Sequence, residues 1–334
     1  MKANEHHTAA SIVADPHQPQ SAAPLVSIIM PTYNRAHLVL ETIRSIQNQT
    51  YSSWELIIVD DGSDDNTEAV VVSLEDERIS FHKAGRVNRN GAIKNTGLQK
   101  ARGALIAFID SDDLWHERKL EKQVAALQAH PSAGFSLVGG YNFEEGNPLH
   151  EYFYPQREGE MFGSIFLALF RAEIAVFVQA LLLRRECLDI TGGFPEETVF
   201  SDPDFIINLS RHFPCILLYE PMLYRRIHKG NHSHSTWVKG YEKGIALLQS
   251  YRGDPMVPRE LLRTAVFKTY IHFGEKHLRY NERTKALHKF FRAWLMRPGS
   301  IVPLKKTCRA FLSLMNYFEP RRHKEHKGAR RKTI

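Results

Sequence analysis

Cysteine is scarce: Cys187, Cys215 and Cys308 are the only three in 334 residues, widely separated and set among apolar neighbours. No pair has the spacing of a metal knuckle or a disulfide framework, so the expectation is structural thiols in a reducing compartment. No apolar run approaches the roughly 20 residues that would span a bilayer. The amino terminus also lacks a charged segment leading into an apolar core and a cleavage site, and together these absences point to the cytoplasm. No GxGxxG follows the first strand-like run, which disfavours a dinucleotide cofactor. Acidic residues are in deficit, 37 against 44 Lys and Arg, and the net charge of +7 suggests an anionic partner: nucleic acid, a lipid surface or a phosphorylated substrate. What is present is ample for a core, since 43% of residues are hydrophobic and 24% charged. That composition excludes a disordered chain and fits one large domain with an appendage, or two domains.

Residues 1–24 are polar, without periodicity, and read as a disordered tail. Order is expected from Leu25. Leu25 to Met30 is a strand-length apolar run closed by Pro31-Thr32-Tyr33-Asn34, and Leu38, Leu40, Ile43 and Ile46 follow at helical spacing. Trp54 to Val59 is a second strand, emptying into Asp60-Asp61-Gly62-Ser63-Asp64-Asp65 ahead of a helix from Thr67. A short third strand, Arg78 to Lys83, leads through a Gly/Asn loop to a helix from Ala92 to Ala101. Strands and helices alternating at this spacing predict a mostly parallel, doubly wound α/β sheet.

The stretch Leu105 to Trp115 is the chemical centre of the pattern. Its apolar start reads as a buried strand that delivers Asp110, Asp112 and Asp113 at its carboxyl end, where open α/β sheets bind ligands. Crowded, desolvated carboxylates repel one another, and a hard dication such as Mg²⁺ or Mn²⁺ carrying phosphates would resolve the conflict. The plain alternative is an acidic turn in which Asp113 caps a helix beginning near His116.

The segments VSIIMPTYNR, ELIIVDDGSDDNT, AIKNTGLQKARGALIAFIDSDDLW and HERKLEKQV, in this order, resemble the nucleotide-binding half of the inverting family 2 glycosyltransferases, of bacterial cell-surface polysaccharide type. The resemblance covers roughly Leu25 to Ser235. It implies a GT-A fold, the nucleotide-diphospho-sugar transferase architecture, with a C-terminal helical extension. It also implies that Pro31, Tyr33 and Asp61 line a nucleoside pocket, that Asp110 and Asp112 meet the donor, and that Asp112 and Asp113 hold Mn²⁺ or Mg²⁺ with the diphosphate. A uracil offers an N–H that a carboxylate accepts and a face on which an aromatic ring stacks. Lys94 stands where the family usually has arginine, facing donor phosphate, or else lies on a solvated helix face. Asp60 is open between donor contact and turn capping.

The second half reads as the acceptor side. Ala133 to Phe143 and Ile174 to Arg184 are strand candidates, with a helix expected from Glu160 to Phe170. Gly192-Gly193-Phe194 and Ser201-Asp202-Pro203-Asp204 follow, and the resemblance makes Asp202 the catalytic base. The competing reading is an N-cap with Pro203 at the first helical position. Ser201 replaces the family's customary acid, and Ile207 and Asn208 stand where tryptophan and arginine are frequent. His228 matches a histidine near diphosphate or metal, against the alternative of a histidine packed at a strand end, and Arg225, Arg226 and Lys229 are candidates for phosphate contact.

From about Trp237 the pattern turns helical: Val238 to Tyr251, Pro258 to Tyr280, Thr284 to Met296 and Pro303 to Phe318, followed by a basic tail over 319–334. The expected organisation is therefore a tail (1–24), a GT-A domain (25–236), a helical region (237–318) and the basic tail. The last helix and tail suit either an anionic membrane surface or, for the helix, a place in the core. The function these features imply is metal-dependent transfer of a sugar, from a UDP-sugar donor, to a saccharide or lipid-linked glycan in cell-surface polysaccharide synthesis, by a cytoplasmic enzyme lying on the inner face of the membrane. A nucleic-acid partner is not expected. Two other readings stand beside it. A sugar-nucleotide pyrophosphorylase would want a glycine-rich, lysine- and arginine-bearing loop in place of Pro31-Thr32-Tyr33-Asn34, and a non-catalytic sugar-nucleotide or glycan binder would not need the aspartates.

Overall fold

The computed structural model describes residues 23–152, 158–174, 177–196, 201–228, 230–231 and 236–308. The amino-terminal tail up to residue 22, the part of the last expected helix from residue 309 and the basic tail lie outside the described residues.

Near-continuous apolar runs become the buried centre of a parallel half-sheet. β1 (Val26–Thr32), β2 (Trp54–Asp60), β3 (Ile79–Lys83) and β4 (Leu105–Phe108) stand in the order β3-β2-β1-β4. Strands covered on both faces need no polar alternation, which is why β1, β2 and β4 lack it. The connecting helices are α1 (Val39–Gln47), α2 (Thr67–Val72) and α3 (Asn90–Lys100). α1 buries Val39, Thr42, Ile43 and Ile46, a single stripe at helical spacing. α3 has no such stripe; it approaches the sheet through Gly97, where a Cβ would stand 2.5 Å from Ile29 Cγ2. The chain winds outward from β1 to β3 and returns on the other side of β1, with Ile29 level with Phe108. The switch point between β1 and β4 is where open sheets of this kind form a ligand crevice.

Beyond β4 the sheet becomes mixed. β5 (Leu114–Trp115), α4 (Lys119–Ala129), β6 (Phe135–Glu144), β7 (Asn147–Tyr152), β8 (Glu160–Gly163), α5 (Phe166–Arg171), β9 (Leu181–Arg184), α6 (Cys187–Thr191), α7 (Ser201–His212) and β10 (Cys215–Arg226) follow in chain order. β9 runs antiparallel to both β4 and β6, while β6 and β10 are parallel. β10 shifts register around Pro221, a residue that cannot donate to the ladder, and so bends within its length.

Two sequence expectations are corrected here. Glu160 to Phe170 is a short edge strand followed by α5, because Glu160–Gly163 pairs with β10 before the helix begins. Among the described residues, the strand expected from Ile174 to Arg184 covers only Leu181–Arg184, since Val178–Ala180 form a turn of 3₁₀ helix. Parallel pairing holds for the first half of the sheet and for β6 with β10; β9 gives the centre its mixed character.

The C-terminal helices are α8 (Trp237–Ser250), α9 (Arg259–Arg279) and α10 (Arg283–Met296), and residues 301–308 are also helical. They build a second core around Phe267, Phe273, Ile271 and Phe290, which also takes in Phe166 and Phe170 of α5 and Ile207 of α7. The helical region therefore shares a core with elements of the sheet domain. Phe290 is fully buried there. Its replacement by Ala should destabilise the chain by about 3–5 kcal/mol, read as a lower urea midpoint in equilibrium unfolding.

Candidate active site

At the carboxyl end of β4 the chain turns tightly, with the Asp113 N–H donating to Asp110 O at 3.1 Å. The turn faces three carboxylates inward: one ligand oxygen from each of Asp110, Asp112 and Asp113 lies within 4.8 Å of the others. Asp112 and Asp113 are buried, and Asp110 is half-buried. Cationic groups are drawn around them. Asp112 Oδ2 accepts from Arg35 Nε at 3.2 Å and meets His228 Nε2 at 3.1 Å. Arg226, itself buried, donates its backbone N–H to Asp113 Oδ1 at 2.9 Å and its Nε to Asp112 O at 3.1 Å, and it pairs with Glu41. Gln179, just ahead of β9, donates to Asp110. Burial pushes the Asp110 carboxyl up to about 6, with Asp112 and Asp202 adding to the rise and Lys94 opposing it. Burial, then Asp112 and Asp110, push Asp113 well above the usual carboxylate range. An all-oxygen donor set that is uncomfortable as bare anions fits a hard dication.

The carboxyl ends of β1 and β2 form the neighbouring wall. Thr32 is level with Asp60, and the two loops beyond are laced together: Asn34 donates to Asp64 at 2.6 Å, and Ala36 N–H donates to Asp65 at 3.0 Å. Asp60 turns back to accept from Gly62 N, Ser63 N and Ser63 Oγ, so of its two readings the turn is the one seen. Asp61 accepts from Val87 N at 2.6 Å, from Asn88 N at 2.9 Å and from Arg86 Nη1. The Arg86 guanidinium lies over the Tyr33 ring, 3.7 Å from its centroid. Pro31, in β1, is partly exposed beside this loop.

The third wall comes from α7. Asp202 lies within the helix, one residue past Ser201, and so is not its N-cap. Its Oδ1 accepts from Lys94 Nζ at 2.5 Å. Lys94 has no exposed side-chain surface, which corrects the solvated-face reading: its ammonium is held between the acids of β4 and α7 rather than in water. Asn95 beside it clasps the Phe194 backbone from both sides, donating to its O at 2.9 Å and accepting from its N at 2.8 Å. The Gly193-Phe194 turn is thereby fixed to α3, and Phe194 stacks on Phe205 of α7.

Most of the residues picked out in the sequence thus meet at one sheet edge, in two adjoining clusters: Asp110, Asp112, Asp113, His228, Lys94 and Asp202, and beside them Tyr33 and Asp61. Asp113 is no helix cap, because α4 starts only at Lys119. Arg225 donates to Asn142 and lies over Phe177, and Arg226 braces the acids, so both guanidinium groups are engaged within the protein; Lys229 lies outside the described residues. Sequence reasoning assigned no role to Arg35, Arg86 or Gln179. Arg35 could have been found, since it closes the PTYNR segment, whereas nothing local marks Gln179, which reaches Asp110 across 69 residues.

A mixed sheet with acids at its switch point and a second acidic wall beyond it defines the nucleotide-diphospho-sugar transferase class of fold. The comparisons agree. Residues 27–186, just under half of the chain, match the model named Glycosyl transferase family 2. It is 44% identical over 125 residues to the UDP-Glc:alpha-D-GlcNAc-diphosphoundecaprenol beta-1,3-glucosyltransferase WfgD of Escherichia coli, covering 37% of this chain and 49% of that one. It is 39% identical over 133 residues to the putative teichuronic acid biosynthesis glycosyltransferase TuaG of Bacillus subtilis, covering 39% and 52%. The chain spans about half the length of these relatives. Among solved structures, S. aureus TarS 1-349 in complex with UDP-GlcNAc aligns with a TM-score of 0.61 at 17% identity, over 88% of this chain and 91% of that one. The mannosyltransferase PcManGT of Pyrobaculum calidifontis, in complex with GDP-Man and Mn2+, aligns at 0.56 and 18% identity, over 90% and 82%. At such identities the structural likeness speaks to the fold.

A carboxyl raised above its unfolded-state value binds more protons in the native state, so the stability it confers is present at low pH and is lost as pH rises through about 6. In chelator, Asp110→Asn should therefore flatten the fall in stability between pH 5 and pH 7.5, a fall of about 1.4 kcal/mol from this carboxyl. Urea unfolding at the two pH values, with and without Mn²⁺, checks this, and the variant should also lose most of any stabilisation by Mn²⁺.

Proposed function

We propose that this protein is an inverting, metal-dependent glycosyltransferase that moves a sugar from a UDP-sugar to a saccharide or lipid-linked glycan acceptor in cell-surface polysaccharide synthesis. One observation carries the reading: within a family 2 glycosyl transferase domain, Asp110, Asp112 and Asp113 converge at the β1/β4 switch point, and Lys94 ties them to Asp202 on the facing helix. The relatives' printed names supply the donor and acceptor classes: a UDP-Glc donor and a diphosphoundecaprenol-linked acceptor for WfgD, and bound UDP-GlcNAc for TarS.

Asp112 and Asp113, with Asp110 beside them and His228 at the edge, would hold Mn²⁺ or Mg²⁺, which when bound neutralises the diphosphate leaving group. Arg35, on Asp112, stands at the mouth of the same site and adds positive charge near the diphosphate. Tyr33 and Asp61, with Pro31, receive the uracil, the first by stacking and the second by accepting its N–H. Asp202 takes the acceptor hydroxyl proton as that oxygen attacks the anomeric carbon, in a single displacement that inverts configuration. Its side chain is about a third exposed, as a base that must meet an incoming hydroxyl should be. Lys94 holds one Asp202 oxygen and leaves the other for the proton.

UDP at roughly a hundred times its Kd should stabilise the fold by about 2.7 kcal/mol with Mn²⁺ and far less in chelator. Asp202→Asn should keep that metal-dependent UDP binding and transfer sugar at least about a hundredfold more slowly. Near-parental turnover in this variant would remove Asp202 from its role, and equal UDP binding in chelator would remove the metal.

The proposal includes contact with the inner membrane surface from the cytoplasmic side. Phe291, Leu295, Ile301, Val302 and Leu304 are exposed on α10 and the 301–308 helix, which carries Lys305 and is followed in the sequence by residues rich in Lys and Arg, a combination that suits anionic lipid. The protein should co-sediment with anionic vesicles at low salt, and truncation after Gly299 or raised salt should abolish that binding. Failure to sediment at low salt would count against this part.

A further inference from the structure

The groups assigned to the nucleobase are occupied in this structure by the chain itself. Asp61 receives two backbone N–H groups, from Val87 and Asn88, and its outer oxygen is paired with the Arg86 guanidinium. That guanidinium lies 3.7 Å above the Tyr33 ring, a stacking distance that leaves no room for a second planar group between them. The backbone is shaped for this closure. Gly62 sits at φ +79, and a Cβ there would meet Arg86 N at 3.0 Å; Asn88 is at φ +57, in the left-handed region that Asn tolerates. The loop from Gly85 to Asn88 is therefore drawn tightly onto the end of β2, whereas the side chain at its tip, Arg86, remains about half exposed and free to leave.

We propose that Arg86 is an internal competitor for the nucleobase: its guanidinium holds the uracil position in the empty protein and must swing out for donor to bind. The match is chemical as well as spatial. A guanidinium is planar, carries N–H groups at its edge and stacks on an aromatic face; uracil is planar, carries one ring N–H and stacks likewise. The incoming base thus replaces an N–H on Asp61 and a face on Tyr33 one for one, and neither group is bare at any stage. Displacement of a half-exposed ion pair and a cation–π contact reduces donor affinity without contributing to transfer. The inference rests on the donor reading above and adds a residue that sets how readily the donor enters.

The test is calorimetric titration of the full chain with UDP and with inorganic diphosphate, both in Mn²⁺, for the parent and for Arg86→Ala. The variant should bind UDP about fivefold more tightly, the sum of a surface ion pair and an exposed cation–π contact, while its affinity for diphosphate stays at the parental value. Without ligand the variant should remain folded and unfold slightly more easily than the parent, by no more than the same two contacts supply. Unchanged or weaker UDP binding in the variant would overturn the proposal, by showing that Arg86 embraces the base instead of competing with it. An equal gain for diphosphate would also overturn it, by making the effect one of charge alone. If neither protein binds UDP, the donor reading itself fails and this inference falls with it, an outcome distinct from the other two.

Discussion

The site depends on one electrostatic conflict. Four carboxylates, those of Asp110, Asp112, Asp113 and Asp202, crowd one corner of the fold, and burial, reinforced by like charge, pushes Asp110 and Asp113 toward protonation. The chain answers with Lys94 from α3, Arg35 from the loop after β1, and Arg226 and His228 from β10 and just beyond it. Removing an ammonium and a carboxylate from water costs about as much as their attraction returns, so the Lys94–Asp202 pair is poor ballast for stability. What it provides is placement. It fixes the distance between the acids at the end of β4 and the first turn of α7.

That constraint explains the connectivity of the second half. β9 enters antiparallel between β4 and β6, which leaves Gln179 beside Asp110, and β10 bends at Pro221 so that its first part fills the core while its end passes beneath Asp112 and Asp113. A straight strand could serve one of these tasks but not both. The bend converts a core strand into a brace for the acids.

The sequence made the parallel half of the fold legible because burial on both faces writes itself as uninterrupted apolar runs, and the turns after them as acids, Gly and Asn. Asp110, Asp112 and Asp113 were visible for the same reason: they follow a run too short to be a helix. Lys94 was visible as a residue but not as a buried one, because a polar α3 that packs through Gly97 has no apolar stripe to reveal which side faces the sheet. Glu160 to Phe170 misled because an edge strand and a short helix in succession share one apolar pattern. Gln179 and Arg86 act through contacts formed only when distant segments meet, across 69 and 25 residues, and periodicity carries no trace of such contacts.

The two cores bear on how the site is held. Phe205, Ile206 and Leu209 of α7 belong to the core of the sheet, while Ile207 of the same helix belongs to that of the C-terminal helices. α7 is therefore gripped on two sides, and a tilt that eased one contact would open a void on the other; a packed interior resists such motion more than a solvated loop does. Asp202 stands in the first turn of that helix, and its partner Lys94 stands on a helix clasped by Asn95 to the turn before α7. The position of the carboxylate is thus set by packing on both sides and by one buried charge in front. The wall that carries Tyr33 and Asp61 is built differently, from loops tied by hydrogen bonds around a half-exposed arginine. Rigidity is concentrated around Asp202 and Lys94, and freedom around Arg86.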